Sequence, residues 1–177
     1  MAYQVARKLE VPLDVFVVRK LGVPGQKELA IGAIASGGVR VLNCDVVAAV
    51  RIGEVEIAQI ADREQKELDR QQRTYRGDHP FPALAGRTVI VVDDGLATGS
   101  TMRAAVKALR QMQPARIVVA APVAASETCR SLAREVDEIV CASSPEPFHA
   151  VSTWYQDFSQ TTDEEVRALL ESSLNSA

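Results

Sequence analysis

The second half of the chain alternates between short β-branched runs and amphipathic helical patterns. Runs rich in Val and Ile at residues 88–92, 116–121 and 138–142 predict strands, and residues 100–112 and 126–135 between them predict helices. Strands linked by helices in this way pair in parallel through crossover connections. We therefore predict an α/β fold with a mostly parallel twisted sheet that helices cover on both faces. Ligands on such sheets bind beyond the carboxyl ends of the strands, so the functional site is expected there.

The first half and the C-terminus add further predicted elements. They are a helix over residues 2–9, a buried strand over 13–18, a mobile loop over 19–25, a hairpin turning at 36–38, and a charged, largely solvated helix from 54 to about 75. The last helix begins with a capping box formed by Thr162 and Glu165. Its apolar residues Val166, Leu169 and Leu170 are expected to be buried.

Length and composition limit what the protein can be. The 177 residues, 47% of them hydrophobic, fit a single domain over residues 1–177 with a sizeable core. A net charge of −3 argues against a nucleic-acid-binding protein, and no apolar run is long enough to span a membrane. Three scattered cysteines argue against a disulfide framework or a zinc site. A cytoplasmic location is expected.

Residues 89–101 carry the most informative pattern. An apolar strand ends in two carboxylates, Asp93 and Asp94, and a small-residue segment then leads into a helix. The first backbone N–H groups of a helix, together with its dipole, attract anions, and the hydroxyls of Thr98, Ser100 and Thr101 add donors. The carboxylates suit hydroxyl groups instead of phosphate. Phosphate at one end and a diol at the other describe a ribose 5-phosphate.

This stretch resembles the 5-phosphoribosyl 1-pyrophosphate (PRPP) motif of the type I phosphoribosyltransferases, whose fold is Rossmann-like. The resemblance implies that the 5-phosphate lies on Ala97, Thr98, Gly99, Ser100 and Thr101, called segment 97–101 below. It also implies that Asp93 and Asp94 hold the ribose hydroxyls. Mg²⁺ is expected to arrive bound to PRPP, with these two acids as its candidate protein ligands. The implied reaction displaces pyrophosphate from the anomeric carbon through an oxocarbenium-like state that carboxylates stabilise.

Arg19 and Lys20 provide a second resemblance. In orotate-type members an Arg-Lys pair at this point opens a flexible loop that closes over the pyrophosphate, often on the neighbouring subunit. The resemblance therefore implies catalytic roles for both residues and a homodimer. The alternative is that the two basic side chains are simply solvated.

The acceptor is a small molecule that the sequence does not identify. Aromatic side chains after the last predicted strand are candidates for a wall that stacks on a heterocycle, although such clusters more often form a small packing core. The aromatic candidates are Phe148, Trp154 and Tyr155, and Asp157 is a further candidate for the acceptor pocket. Ala97 stands where purine-salvage members often have Asp, which disfavours hypoxanthine and guanine.

Two other functions remain open at this point. Type I relatives place a first strand and a pyrophosphate-binding loop before the helix at residues 2–9, and neither is expected in this sequence. Either the sequence begins after the true start, or the chain has lost a loop that holds the leaving group. That departure favours a non-catalytic PRPP or nucleotide sensor on the same fold. A flavodoxin-like phospho-acceptor domain would use Asp93 and Asp94 as a Mg²⁺ site, but it also needs a third acid and a lysine at other strand ends. Lys66 and Lys107 lie within helical patterns instead.

Overall fold

The computed structural model describes residues 1–23, 26–77 and 79–174. In chain order the elements are α1 (Ala2–Leu9), β1 (Val18–Val23), β2 (Gln26–Ala35), β3 (Val39–Leu42), α2 (Cys44–Val50), α3 (Glu54–Arg76), β4 (Thr88–Val92), α4 (Ser100–Gln111), β5 (Arg116–Val123), α5 (Ser126–Leu132), β6 (Glu138–Ser143), a short 3₁₀ helix (Val151–Trp154) and α6 (Asp163–Leu174).

Strands β4, β5 and β6 form a parallel sheet in that order, which confirms the predicted α/β class. Helices α4 and α5 cover one face. There Met102, Val106 and Leu132 pack with buried Ile117 and Val119 of β5. Elsewhere on the sheet the cover is incomplete, since Ile90 stays 36% exposed and Val140 stays 47% exposed. The predicted cover on both faces is therefore confirmed on one face only.

Strands β1, β2 and β3 form a second, antiparallel sheet. The predicted hairpin is confirmed, because Ala35 pairs with Val39 across Ser36, Gly37 and Gly38. Both glycines have positive φ (80° and 76°), which residues with a Cβ adopt at a cost.

The strand predicted at residues 13–18 and the loop predicted at 19–25 are wrong in position. The ladder with β2 begins at Val18, so Arg19 and Lys20 lie within a strand. The position of the strand follows from its partners. The Ser36 N–H donates to Val17 O, the Val17 N–H donates to Ser36 Oγ, and Leu21 is fully buried against α3 residues such as Ile57. The remaining two positions of the predicted loop, 24 and 25, lie outside the described residues.

Helix α3 agrees with its predicted span but buries more than expected. Ile57, Ile60, Ala61 and Leu68 are at most 5% exposed and pack against the antiparallel sheet. The many charged residues of α3 led to the prediction of a largely solvated helix and made its apolar face hard to recognise in the sequence. Helix α2 was not predicted, although Asn43 caps it by accepting from the Val46 N–H.

The predicted capping box is present at α6. The Thr162 N–H donates to Glu165 Oε2 at 2.8 Å, and the Glu165 N–H donates to Thr162 Oγ1 at 3.2 Å. Leu170 is buried, Val166 is half-buried, and Leu169 is 37% exposed, so the predicted burial of Leu169 is wrong.

A disulfide joins Cys129 of α5 to Cys141 of β6, with sulfur atoms 2.10 Å apart. The cysteine pattern argues against a disulfide framework, and it does not predict this single bridge. The two cysteines have no C-x-x-C spacing, but the crossover from α5 into β6 brings them together. Cys44 is free and exposed. Throughout the described part of the chain, no helix has the length and apolarity needed to cross a membrane.

Candidate functional site

Asp93 and Asp94 follow the carboxyl end of β4, as predicted. The Asp93 N–H donates to Ala120 O of β5 at 3.1 Å, which fixes the first acid at the edge of the sheet. Its carboxylate accepts the Asp94 N–H at 2.9 Å and is half-buried, whereas Asp94 is exposed. Burial raises the pKa of Asp93, and the negative charge of Asp94 adds to that shift. The site thus places the partly desolvated carboxyl group of Asp93 beside the solvent-exposed carboxyl group of Asp94.

The raised pKa of Asp93 has a consequence for stability. The folded protein binds this proton more tightly than the unfolded chain does, so stability is lost as the pH rises from the ordinary aspartate pKa to the raised one. We expect Asp93→Asn to raise the urea midpoint at pH 7, with the gain disappearing below about pH 3.9. Asp94→Asn, at an exposed side chain, is the control. An unchanged or lowered midpoint for Asp93→Asn at pH 7 would contradict the desolvation argument.

The chain between the two acids and α4 is anchored to the neighbouring strand. Leu96 is 1% exposed, its N–H donates to Val123 O at 3.0 Å, and its C=O accepts from Ala125 N–H at 2.9 Å. A Cβ on Gly95 would lie 2.5 Å from a Val151 methyl group, so any larger residue there would force the Val151 side chain to shift. This anchoring places segment 97–101 beyond the carboxyl end of the sheet.

Segment 97–101 presents hydroxyls and backbone amides at the start of α4. Gly99 is the N-cap with φ 68°, and because it has no side chain it makes no cap bond to the first turn of the helix. The Ser100 N–H donates to Thr98 Oγ1 at 3.4 Å. Thr98, Ser100 and Thr101 are exposed, and the Thr98 hydroxyl lies 3.3 Å from the Ser100 hydroxyl. This arrangement suits an anion, as the sequence predicted.

The structure brings Lys20 to this segment and Arg19 to a different neighbour. Lys20 Nζ donates to Ser100 Oγ at 2.6 Å within the same chain. Arg19 makes an ion pair with Glu64 of α3 at 2.7 Å. Consecutive strand residues point to opposite faces, which explains why the pair separates. Lys20 therefore adds a positive charge beside segment 97–101.

Among the predicted acceptor residues, Tyr155 lies at the acids. Its hydroxyl donates to the Asp94 carbonyl oxygen at 2.5 Å, and its ring packs on Phe158 with centroids 5.2 Å apart. Burial, with the charges of Asp94 and Asp93, raises the pKa of Tyr155. Trp154 is next in sequence and 47% exposed.

The other two predicted acceptor residues are placed differently. Phe148 is half-buried. Asp157 accepts the Ser159 N–H at 2.8 Å, and this bond lowers its pKa. Its carboxylate is thus engaged in a local turn of the backbone.

Sequence reasoning missed the residues that hold segment 97–101 from behind. Arg103 donates to Thr98 O at 2.7 Å, and Thr128 donates to Ala97 O at 2.5 Å. The partners are up to 31 residues apart, so only the fold shows them. No local signal in the sequence points to Thr128.

Comparisons with known proteins agree with this geometry. The phosphoribosyl transferase domain family matches residues 1–151. A crystal structure of a Thermus thermophilus protein is similar with TM-score 0.84 and 40% identity, over 95% of this chain and 79% of that one.

Two proteins of Mycobacterium tuberculosis, from strains CDC 1551 and H37Rv, bear the name "Putative phosphoribosyl transferase" and are 42% identical over 171 residues. The aligned region is 97% of this chain and 39% of each mycobacterial protein, so the chain spans well under half of their length. With a family match over residues 1–151 and relatives of this similarity, the chain belongs to the phosphoribosyl transferase domain family.

Proposed function

We propose that this protein binds PRPP with Mg²⁺ and transfers its phosphoribosyl group to a small nucleophile, a nucleobase, releasing pyrophosphate. The observation that carries the proposal is that two carboxylates after β4, the exposed hydroxyls at the start of α4 and Lys20 of β1 lie together, with Lys20 Nζ bonded to Ser100 Oγ. Membership in the phosphoribosyl transferase domain family supports phosphoribosyl transfer in general.

The 5-phosphate of PRPP is proposed to bind segment 97–101. The hydroxyls of Thr98, Ser100 and Thr101, with the first amides of α4, donate to its oxygens. Lys20 Nζ donates a hydrogen bond to Ser100 Oγ in this structure. Its positive charge is therefore close enough to neutralise part of the charge of a phosphate bound there.

Asp93 and Asp94 are proposed to hold the ribose hydroxyls and to stabilise the reacting sugar. A carboxylate accepts hydrogen bonds from a diol without needing a charged partner. As the bond from the anomeric carbon to pyrophosphate breaks, positive charge develops on the sugar. A partly desolvated carboxylate such as Asp93 acts on that charge with less screening by water.

Mg²⁺ fits this site as an ion that arrives with the substrate. Across residues 1–23, 26–77 and 79–174, no three His, Cys, Asp or Glu side chains form a group that could hold a metal ion. Mg²⁺ prefers oxygen ligands and keeps much of its water, so Asp93 and Asp94 suit it as supplementary ligands. Bound to PRPP, it would offset the negative charge of the leaving pyrophosphate.

Lys20 gives a prediction for the phosphate end of the site. We expect Lys20→Met to raise KM for PRPP about tenfold, the loss of one charge-assisted contact, while kcat changes less. Lys107→Met on the exposed surface of α4 is the control and should match the unaltered protein. Steady-state kinetics at several PRPP concentrations measure both constants. An unchanged KM would show that Lys20 does not contact the substrate.

The resemblance implies that both Arg19 and Lys20 act on the pyrophosphate. Because Lys20 contacts Ser100, we place Lys20 at the 5-phosphate instead and keep the pyrophosphate role for Arg19. Arg19 is paired with Glu64 in this structure, so this role requires Arg19 to exchange that carboxylate for the leaving group.

The first acceptor candidates are Tyr155 and Trp154, because Tyr155 already contacts the Asp94 backbone. Phe148 and Asp157 stay predictions. So do the homodimer, the cytoplasmic location and the single domain over residues 1–177.

A pyrophosphate-release assay with a panel of nucleobases tests the proposal. We expect release that depends on PRPP, on Mg²⁺ and on one class of acceptor. Hypoxanthine and guanine should be poor acceptors, because Ala97 has no acid to assist proton transfer. A protein that binds PRPP but releases no pyrophosphate with any acceptor would contradict transfer and favour a PRPP sensor.

A further inference from the structure

Two backbone carbonyls of segment 97–101 are held from the side of α5. The buried Thr128 hydroxyl donates to Ala97 O at 2.5 Å, and the Arg103 guanidinium donates to Thr98 O at 2.7 Å. Thr128 is 7% exposed, so its hydroxyl has little access to water as an alternative partner. The two contacts fix successive peptide groups.

Fixing these carbonyls also fixes two amides. In a trans peptide the C=O and the following N–H point in opposite directions. The C=O of Ala97 shares its peptide with the Thr98 N–H, and the C=O of Thr98 shares its peptide with the Gly99 N–H. Both amides therefore point away from α5. Within the part of the chain that the structure describes, neither amide donates a hydrogen bond. Successive free N–H groups form a concave site for an anion.

Arg103 is itself held in place. Its Nε donates to Glu135 at 2.9 Å and its second terminal nitrogen donates to Ser131 Oγ at 2.8 Å. With the bond to Thr98 O, the planar guanidinium is fixed at three points, which a lysine could not reproduce. The three hydrogen bonds of Arg103 thus depend on the planar shape of the guanidinium group as well as on its charge.

We propose that Arg103 and Thr128 are positioning residues that hold segment 97–101 in its phosphate-binding conformation. They act from behind the segment, on its carbonyls, and touch no substrate. This inference rests on the proposed function, since it assigns a support to the same phosphate site. It adds α5 to the elements that determine affinity for the phosphoribosyl group.

Binding of ribose 5-phosphate by titration calorimetry tests the inference without any need for turnover. We expect Arg103→Ala to weaken binding about tenfold or more, and Arg103→Lys to recover only part of it. Arg110→Ala is the matched control: this arginine lies on the same helix and pairs with Asp137 at 2.9 Å. It should bind ribose 5-phosphate as the unaltered protein does.

Two Thr128 variants separate positioning from packing. Thr128→Ser keeps the hydroxyl and loses a buried methyl group, so it should melt earlier but bind normally. Thr128→Val keeps the shape and loses the hydroxyl, so it should bind about tenfold more weakly. Affinities that follow the melting temperature and not the hydroxyl would overturn the inference.

The outcomes distinguish this inference from the proposed function. If the unaltered protein binds ribose 5-phosphate while Arg103→Ala and Thr128→Val bind equally well, only the positioning role is contradicted. If the unaltered protein binds neither ribose 5-phosphate nor PRPP, the proposed function fails and the positioning role fails with it.

Discussion

The double variant Asp93→Asn with Asp94→Asn is expected to lose phosphoribosyl transfer while remaining folded. Both replacements remove negative charge beside the anomeric carbon, and removal of one electrostatic contact to a transition state costs about 10²–10³-fold in kcat. Folding should be retained because the amide oxygen introduced by Asp93→Asn can still accept the backbone N–H bond that the carboxylate accepts now, and Asp94 is exposed. Pyrophosphate release and thermal melting measure the two effects.

Asp137→Asn is the control for this variant. Asp137 is a structural carboxylate: it accepts the Ile117 N–H at 2.7 Å and pairs with Arg110. The Ile117 bond lowers the pKa of Asp137, so its charge stabilises the fold above the ordinary aspartate pKa. The control should therefore melt earlier and retain kcat. If the Asp93 and Asp94 double variant unfolds instead, the two acids are structural caps.

The second large effect is expected for Gly99→Ala. A Cβ at this position would lie 2.7 Å from Thr128 Cγ2 and 3.2 Å from an Arg103 nitrogen, and φ is 68°. The crowding pushes segment 97–101 away from the residues that hold its carbonyls. Because displacement of a binding group by about 1 Å can cost 10²-fold, we expect a loss of PRPP binding of that order. Calorimetry with PRPP measures it.

Gly86→Ala separates crowding from backbone strain. Gly86 has nearly the same φ, 71°, but nothing lies within 4 Å of a Cβ built there. The Gly86→Ala variant should have a free energy of unfolding lower by about 1 kcal/mol or more, because alanine is strained in the left-handed conformation. Its affinity for PRPP should be unchanged. Equal affinity losses in both variants would show that the close contacts at Gly99 are unimportant.

The sequence predicted the elements whose signals are local. Strand β4 and helix α4 follow from an apolar run and a periodic pattern, and the capping box at Thr162 follows from spacing alone. The candidate phosphate segment lies between such elements, so its position at the sheet edge could be predicted. Asp93 and Asp94 follow the carboxyl end of β4, where such a site was expected.

Features that depend on distant partners could not be predicted. Arg19 and Lys20 are in a strand because β2 pairs with them, and Lys20 meets Ser100 across 80 positions of sequence. The hydrogen bonds from Thr128 to Ala97 and from Arg103 to Ser131 and Glu135 also join residues far apart in the sequence. The disulfide between Cys129 and Cys141 likewise depends on the fold. In each case the residue type gives no signal in the sequence, because its partner becomes a neighbour only in the folded protein.

The roles of the aromatic residues in the acceptor region also could not be predicted from the sequence. Tyr155 and Trp154 are adjacent in sequence, yet one contacts the Asp94 backbone and the other is 47% exposed. Aromatic composition indicates that the region can stack on a flat molecule. It does not specify which ring pattern is recognised, because that depends on polar groups from several elements.

Titration of PRPP into the purified protein, with and without Mg²⁺, is the most decisive experiment for a PRPP site at the end of β4. We expect micromolar, Mg²⁺-dependent binding, about −8 kcal/mol, that is lost in the Asp93→Asn, Asp94→Asn double variant. Ribose 5-phosphate should bind more weakly, because it lacks the pyrophosphate. No heat of binding with either molecule, from a folded protein, would contradict a PRPP site at the end of β4.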